Sequence, residues 1–361
     1  MTRVRVLADR PLTVAVLVLS ILPFMLVVPR MVESRTQYER RHESGPLPAP
    51  EVALTPAQAA RFQPVAPYAN AVPVLAYHGI REERDGFSVT RRQFAEQMAA
   101  LSHMGFETIS IDQYARFRAG QPGALPPRPL LITFDDGRLD SYRGADRVLE
   151  RYGFRATIFV ITNEIEKGNP FYLTWRELHG MQRSGRWDVQ PHAHAGHVRV
   201  AYDARGDMAP FYAVRRYTRS GGQESFADYE ERVTSDVFAL RQEMVDHGFE
   251  PRAMAVPYGD YGQRGGNDPA IAPFMRALLA RQFGTYFVQA DRNEAAYNGP
   301  TGEAQRYEVH SDTTADRLYM WLRDHSPGEA KPVPPPPAAA RPHRDRGARA
   351  RHRIARGLER H

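Results

Sequence analysis

Residues 130–162 read LLITFDDGRLDSYRGADRVLERYGFRATIFVIT, and this stretch decides the fold. The apolar run Leu130–Phe134 predicts a strand that ends at a turn. Asp140–Tyr152 predicts a helix that ends at Gly153, and Ala156–Thr162 predicts the next strand. A strand, a helix and a strand in succession indicate parallel strands with the helix packed outside them.

The same alternation continues on both sides and defines one domain over residues 71–325. We predict further strands at Val72–Tyr77, Glu107–Ile111, Trp187–Gln190, Met254–Val256 and Tyr286–Val288. Further helices are predicted at Thr90–Met104, Trp175–Ser184 and Tyr229–His247. The predicted fold class is therefore α/β, with parallel strands inside and helices outside.

The composition excludes several kinds of site and partner. The 361 residues include no cysteine, which excludes disulfides, zinc ribbons and thiol nucleophiles, so any metal must bind His, Asp or Glu. The formal net charge is +6, but residues 331–361 hold nine basic and two acidic residues and so carry +7. The remaining chain carries −1, which excludes the positive field of a nucleic-acid-binding domain.

The N-terminus predicts a membrane anchor. Residues 11–29 are 19 uncharged, mostly apolar residues, just enough to span a bilayer core as a helix. Arginines precede this run as in a signal sequence, but the residues from Val28 onward lack the small side chains of a cleavage site. We predict an uncleaved, single-pass transmembrane signal-anchor with residues 1–10 in the cytoplasm, and a buried core helix is the alternative.

Two further segments are predicted to lie outside the folded domain. Residues 30–70 are predicted to be a stem, because they become rich in Pro and Ala and lack periodicity. Residues 326–361 begin Pro-rich and end Arg-rich, which predicts a disordered basic tail. The charges on the two sides of the span nearly balance, so we expect an extracytoplasmic domain from its chemistry and not from these charges.

Two adjacent carboxylates, Asp135 and Asp136, directly follow the predicted strand Leu130–Phe134. Neighbouring side chains on a strand point to opposite faces, so the turn into Gly137 must bring both to one site. Nearby carboxylates repel each other, which favours a cation between them or a raised pKa on one of them. The functional interpretation is a metal ligand and a base, and a helix N-cap is the alternative.

Three histidines, His192, His194 and His197, lie within six residues after the predicted strand Trp187–Gln190. This segment has no helical face for them to fill, so their clustering predicts a metal site. Imidazole and carboxylate ligands with a position left open for water are typical of catalytic metal sites. Pro257–Gly259, after a late strand, predicts an abrupt turn whose N–H groups could face a ligand.

Together these motifs resemble those of the polysaccharide deacetylases of the NodB-homology group, carbohydrate esterase family four. The resemblance covers roughly residues 72–320 and is carried by TFDDG at Thr133–Gly137, Tyr142–Thr162, LTWRELHGMQRSG at Leu173–Gly185 and PYG at Pro257–Gly259. It implies a distorted (β/α) barrel of the NodB-homology type with fewer than eight regular units. Its site is expected at the carboxyl ends of the strands.

The resemblance also implies roles for particular residues. Asp135 corresponds to the general base, and Asp136, His192 and His197 correspond to the ligands of a divalent metal, for which zinc is expected. The Tyr258 backbone N–H is expected to help hold the oxyanion. The five-residue step from the first to the second ligand histidine resembles the biofilm poly-N-acetylglucosamine deacetylase branch.

The sequence departs from the family pattern at several positions. Ala255 stands where many relatives carry an arginine oriented toward the base, so we expect that arginine to be absent. His310, in the stretch Arg306–His310, is the candidate for the late histidine that serves as general acid. His194 is the alternative metal ligand, and His78 is expected to be a rim or structural residue.

The expected function is metal-dependent removal of N-acetyl groups from an extracytoplasmic, poly-N-acetylglucosamine-like polymer, with release of acetate. Deacetylation of peptidoglycan or chitin oligomers is the alternative within enzymes. A non-catalytic, metal-assisted glycan-binding module in exopolysaccharide export is the alternative from another class. The expected partners are the polysaccharide, the cell membrane and exopolysaccharide synthesis or export proteins, with no nucleic acid.

Overall fold

The computed structural model describes residues 45–325, apart from 65, 68–70, 84, 122, 124 and 290–302. The predicted anchor at residues 11–29 and the predicted tail at 326–361 lie outside the described residues. Within the described ranges, no helix has both the length and the apolar character needed to cross a membrane.

Strands and helices alternate along most of this part of the chain. The strands are β1 Val74–Tyr77, β2 Glu107–Thr108, β3 Pro129–Phe134, β4 Ala156–Ile161, β5 Trp187–Ala193, β6 Arg199–Ala201, β7 Met208–Pro210, β8 Tyr217–Thr218, β9 Gly222–Gln223, β10 Ala253–Ala255, β11 Thr285–Gln289 and β12 Glu303–Glu308. The helices are α1 Pro56–Arg61, α2 Arg91–His103, α3 Ile111–Arg118, α4 Leu139–Tyr152, α5 Thr162–Glu166, α6 Trp175–Arg183, α7 Phe226–Asp246, α8 Ile271–Phe283 and α9 Ala315–Asp324.

Eight of the strands form one parallel sheet, in the order β10-β11-β12-β1-β3-β4-β5 with β2 beside β3. β3 and β4 are buried at every position, as expected of parallel strands that are covered on both faces. The remaining strands form two small hairpins, β6–β7 and β8–β9, between β5 and α7 along the chain.

Side chains, and not a backbone ladder, join the two edge strands of this sheet. Gln190 on β5 accepts hydrogen bonds from the backbone N–H groups of Arg252 (2.8 Å) and Ala253 (2.9 Å) beside and on β10. His192, two residues further along β5, has Nδ1 2.7 Å from the carbonyl oxygen of Ala255. The sheet therefore curves into a barrel with one irregular seam, which confirms the expected distorted barrel of parallel strands.

The period of two along the strands decides which side chains face the inside of the barrel. β1 pairs Ala76 with Thr133 of β3 and with Glu308 of β12. The face that carries these residues therefore also carries Arg306 on β12 and Asp135 just after β3. Two charged groups from distant parts of the chain are thus brought to the same interior.

Two predicted strands end three residues away from the predicted position. The strand predicted at Glu107–Ile111 is wrong beyond Thr108, because Ser110 caps helix α3 through a capping box. The strand predicted at Trp187–Gln190 continues to Ala193 and so includes the first of the clustered histidines. β12, α8 and α9 have no counterpart among the predicted elements. In β12, the polar residues of Glu303–Glu308 hide the apolar pattern of a buried strand.

Candidate metal centre and active site

The carboxylates of Asp135 and Asp136 reach one site because the backbone turns into the left-handed region directly after β3. Asp136 has φ 73° and Gly137 has φ 74°. Asp136 is one of only two non-glycine residues with positive φ in the described part of the chain, and such strained conformations cluster at functional sites. The helix-cap alternative is wrong, because the N-cap of α4 is Arg138, which makes no side-chain capping bond.

His192 and His197 each turn one ring nitrogen toward Asp136. His192 lies at the end of β5, where its Nδ1–H donates to the Ala255 carbonyl and leaves Nε2 as the free lone pair. The Nε2 atoms of His192 and His197 lie 3.6 and 3.3 Å from Asp136 Oδ1. The three potential ligand atoms lie within 4.8 Å of one another.

These donors fit a divalent cation. Asp136 Oδ1 is buried and has no hydrogen-bond partner within the described part of the chain, which is costly unless another group satisfies it. Burial lowers the pKa of His192 to about 4, so its imidazole is neutral near pH 7, as a metal ligand must be. Two imidazoles and one carboxylate match three-ligand sites that leave further positions open.

His194 points away from this cluster. Its Nδ1 lies 3.0 Å from Thr162 Oγ1 and 3.3 Å from Glu243 Oε2. The ligand atoms that converge belong to Asp136 and the other two histidines of the loop. The structure therefore does not bring the alternative ligand to the candidate metal centre.

A buried carboxylate on α7 holds the backbone between the two ligand histidines. Asp236 accepts hydrogen bonds from the backbone N–H groups of Ala195 (2.8 Å) and His194 (3.3 Å) and from the Tyr212 hydroxyl. Gly196 passes so close that an added Cβ would lie 2.6 Å from the Tyr212 hydroxyl oxygen. The loop is thus anchored immediately before His197.

We expect Asp236→Ala to weaken both the stability of the fold and metal binding. The change leaves two N–H groups and a buried hydroxyl without their acceptor, which should lower the free energy of unfolding by about 2–4 kcal/mol. Thermal unfolding with and without added zinc measures both effects. Asp246→Ala, an exposed carboxylate on the same helix, is the control and should change neither. An unaltered metal affinity in Asp236→Ala would contradict this anchoring role.

An arginine does face the proposed base, but it comes from a different strand than expected. Arg306 on β12 contacts Asp135 through Nη1 to Oδ1 and Nη2 to Oδ2, both at 2.7 Å. The two side chains are 0% and 2% exposed. Burial alone would raise the pKa of Asp135, but the charge of Arg306 holds it well below its usual range. Position 255 carries no arginine, as the sequence shows, and Arg306 from β12 supplies a guanidinium that faces the proposed base.

Tyr258 forms a wall of the metal centre. It has φ 59°, so the Pro257–Gly259 turn is as sharp as the sequence predicts. Its ring lies 4.8 Å from the ring of His197, and its hydroxyl donates to the His197 carbonyl at 3.4 Å. The guanidinium carbon of Arg199 on β6 lies over the Tyr258 ring, 5.7 Å from the ring centre, as in a cation–π contact.

The two remaining candidate histidines follow neighbouring strands at the same edge of the barrel. His310 comes after β12, is 36% exposed and has Nε2 3.5 Å from Glu308 Oε2. His78 comes after β1, and its Nδ1 is buried without a hydrogen-bond partner within the described ranges. His78 follows Tyr77, whose carbonyl oxygen accepts a hydrogen bond from the backbone N–H of Asp135 at 2.9 Å, so the backbone of His78 lies near the proposed base. Neither histidine belongs to the three-residue cluster.

Three residues of the site are not singled out by sequence reasoning, namely Arg306, Asp236 and Tyr172. Tyr172 forms an isolated antiparallel β-bridge with Arg138. Burial raises the pKa of the Tyr172 hydroxyl to about 12, and the negative charge of Asp136 acts in the same direction. One signal could have pointed to Arg306. A carboxylate as buried as Asp135 needs a counterion, and an arginine is the natural candidate, although β12, which carries Arg306, is not among the predicted strands.

A parallel α/β barrel with an Asp–His–His cluster and a buried Arg–Asp pair at its carboxyl edge defines a candidate single-metal hydrolytic centre. Residues 123–267 match the polysaccharide deacetylase family. The matched range includes all three candidate ligands but ends before Arg306.

Two curated relatives of similar sequence are named N-deacetylases. The poly-β-1,6-N-acetyl-D-glucosamine N-deacetylase of Escherichia coli K12 is 23% identical over 210 residues, which cover 53% of this chain and 31% of that protein. The enzyme of the same name from Staphylococcus epidermidis is 25% identical over 211 residues, 53% of this chain and 65% of that protein. The chain therefore spans 31% and 65% of these relatives.

Solved structures share the fold. The de-N-acetylase from Aggregatibacter actinomycetemcomitans has a TM-score of 0.59 and 20% identity and covers 70% of this chain and 99% of its own. IcaB from Ammonifex degensii has a TM-score of 0.54 and 23% identity, and the match covers 71% of this chain and 98% of the IcaB chain. At these identities the likeness shows the fold alone, the distorted barrel of the NodB type.

Proposed function

We propose that this protein removes N-acetyl groups from an amino-sugar polymer, with a divalent metal at Asp136, His192 and His197 and with Asp135 as general base. The observation that carries the proposal is the buried, unpartnered Oδ1 of Asp136, which faces two imidazoles beside a carboxylate that Arg306 keeps ionised. Zinc is the proposed metal, because imidazole and carboxylate are its usual ligands in hydrolytic sites.

The side chains divide the proposed reaction among them. Asp136, His192 and His197 would hold the cation, which would lower the pKa of a water molecule and polarise the acetyl carbonyl. Asp135 accepts the proton of the attacking water; its low pKa makes it a weak base, which suffices for water that is already acidified. The Tyr258 backbone N–H donates to the developing oxyanion, a role supported by its sharp turn beside His197. His310 delivers a proton to the leaving amine, so acetate and a free amino sugar result.

The proposed polymer is β-1,6-linked poly-N-acetylglucosamine, which is supported by the names of the E. coli and S. epidermidis relatives. Acetate release from β-1,6-linked and β-1,4-linked N-acetylglucosamine oligomers tests this choice. We expect faster release from the β-1,6-linked oligomers, loss of activity with a chelator, and recovery with zinc.

Other outcomes of that assay favour the alternatives. Faster release from β-1,4-linked oligomers would favour a peptidoglycan or chitin-oligomer deacetylase. Oligomer binding without any acetate release, after zinc loading, would favour the glycan-binding module in exopolysaccharide export.

We further propose that residues 11–29 anchor the protein in the cell membrane with the domain on the extracytoplasmic side, near exopolysaccharide synthesis or export proteins. The 19 uncharged residues of this run support the anchor. The protein should then stay with membranes through alkaline carbonate washing. A carbonate-soluble protein that starts near residue 31 would identify a cleaved signal instead.

A further inference from the structure

A solvent-exposed aromatic side chain, Phe87, lies beside the candidate active site. Phe87 is 47% exposed, and its ring lies between two imidazoles, with ring centres 5.6 Å from His78 and 5.6 Å from His310. A single exposed apolar residue is common on protein surfaces and by itself indicates nothing. The surroundings of Phe87 make it different.

The loop that carries Phe87 is held rigidly by polar groups. The Asp85 carboxylate accepts hydrogen bonds from the N–H groups of Phe87 (2.9 Å) and Ser88 (2.6 Å) and from the Ser88 hydroxyl (2.8 Å). The buried Arg138 lies 3.3 Å from the Ser88 hydroxyl and 3.8 Å from Asp85. On the far side, Ser311 donates to the Gly86 carbonyl at 3.2 Å. These bonds hold the backbone on both sides of Phe87, while the ring itself is exposed.

The position of this ring relates it to the reaction. His78 follows Tyr77 of β1, whose carbonyl accepts the backbone N–H of Asp135 at 2.9 Å. His310, the proposed proton donor, is the other neighbour of the ring. Phe87 therefore borders the β1 and β12 side of the site, whereas Tyr258 borders the β10 side next to His197.

We propose that Phe87 is a stacking platform for a pyranose ring of the glycan, next to the sugar whose acetamido group enters the metal centre. This inference rests on the proposed function. A pyranose offers an apolar C–H face to the ring and hydroxyl groups around its edge, and the flanking imidazoles can donate to or accept from those hydroxyls. A protein partner would instead need a contiguous apolar patch, which one ring between two imidazoles does not provide.

The test measures binding of a β-1,6-linked N-acetylglucosamine pentamer by calorimetry to full-length, zinc-loaded protein that carries Asp135→Asn to prevent turnover. Adding Phe87→Ala should weaken the affinity about threefold to tenfold, the size expected from loss of one aromatic stacking contact. Phe87→Trp should restore it, and Phe87→Leu should not, because leucine is apolar but has no flat face. Phe238→Ala removes a phenylalanine of equal exposure, 47%, from α7 and should have no effect.

Each outcome either supports or overturns the stacking platform. Unchanged affinity in Phe87→Ala, or wild-type affinity in Phe87→Leu, would overturn the stacking platform. An equal weakening by Phe238→Ala would overturn it as well. Acetate release by the protein without Asp135→Asn is measured separately. If no glycan yields acetate, the proposed function fails, and the platform is judged by the binding measurement alone.

Discussion

Asp135→Asn is expected to leave the metal bound and to lower turnover by about 100- to 10,000-fold, the usual contribution of a general base. The amide cannot accept the proton of water, but the coordinating atoms of Asp136, His192 and His197 remain in place. Zinc content per protein and the rate of acetate release measure the two effects. Because Arg306 then faces an amide in place of a carboxylate, thermal unfolding must show that the variant is folded at the assay temperature.

Variants of the histidine loop distinguish ligands from neighbours. His192→Ala and His197→Ala should lose metal affinity and activity together, and added zinc should partly restore activity. His194→Ala is the matched control. In the native protein the His194 ring forms a hydrogen bond with Thr162 and lies beside Glu243, away from the metal centre. The variant should therefore keep its metal and most of its activity. If His194→Ala loses its zinc while His192→Ala keeps it, the ligand assignment is wrong. Full activity in all of these variants, including Asp135→Asn, would end the deacetylase proposal.

Arg306→Met is expected to lower the free energy of unfolding by about 3–5 kcal/mol, because it leaves a buried carboxylate without its counterion. The loss should also raise the pKa of Asp135, since burial then acts without the opposing charge. Turnover should fall even where the protein remains folded. Chemical denaturation and the rate of acetate release measure the two consequences. Arg306→Lys keeps the charge but not the two parallel contacts, so an intermediate result is expected.

Arg232→Met separates stability from activity. Arg232 on α7 contacts Glu224 through two hydrogen bonds of 2.8 Å, and both side chains are largely buried. Losing it should destabilise the fold to a similar degree but leave turnover per folded molecule unchanged. Should Arg306→Met behave in the same way as Arg232→Met, the arginine would be a structural residue and not one that prepares Asp135 for catalysis.

The sequence by itself was enough to predict the parallel α/β fold, because the strand, the helix and the strand within residues 130–162 carry strong local signals. The bounds of α4 show this well: Gly153, at φ 64°, ends the helix where the sequence predicts. The resemblance to the polysaccharide deacetylases, carried by short motifs, implied Asp136, His192 and His197 as metal ligands, and the structure brings their ligand atoms together. Short, contiguous patterns of this kind are set by chain geometry and need no knowledge of distant contacts.

Only the tertiary structure decided which residues complete the site. Arg306 lies 171 positions from Asp135, and only the pairing of β12 with β1 and of β1 with β3 in the sheet brings the two side chains to the same interior face. Asp236 meets the histidine loop from α7, and His194 is turned away from the metal centre by Thr162 and Glu243. A counterion and an anchoring hydrogen bond require proximity in space alone. The local sequence around each partner therefore does not identify the residue it pairs with.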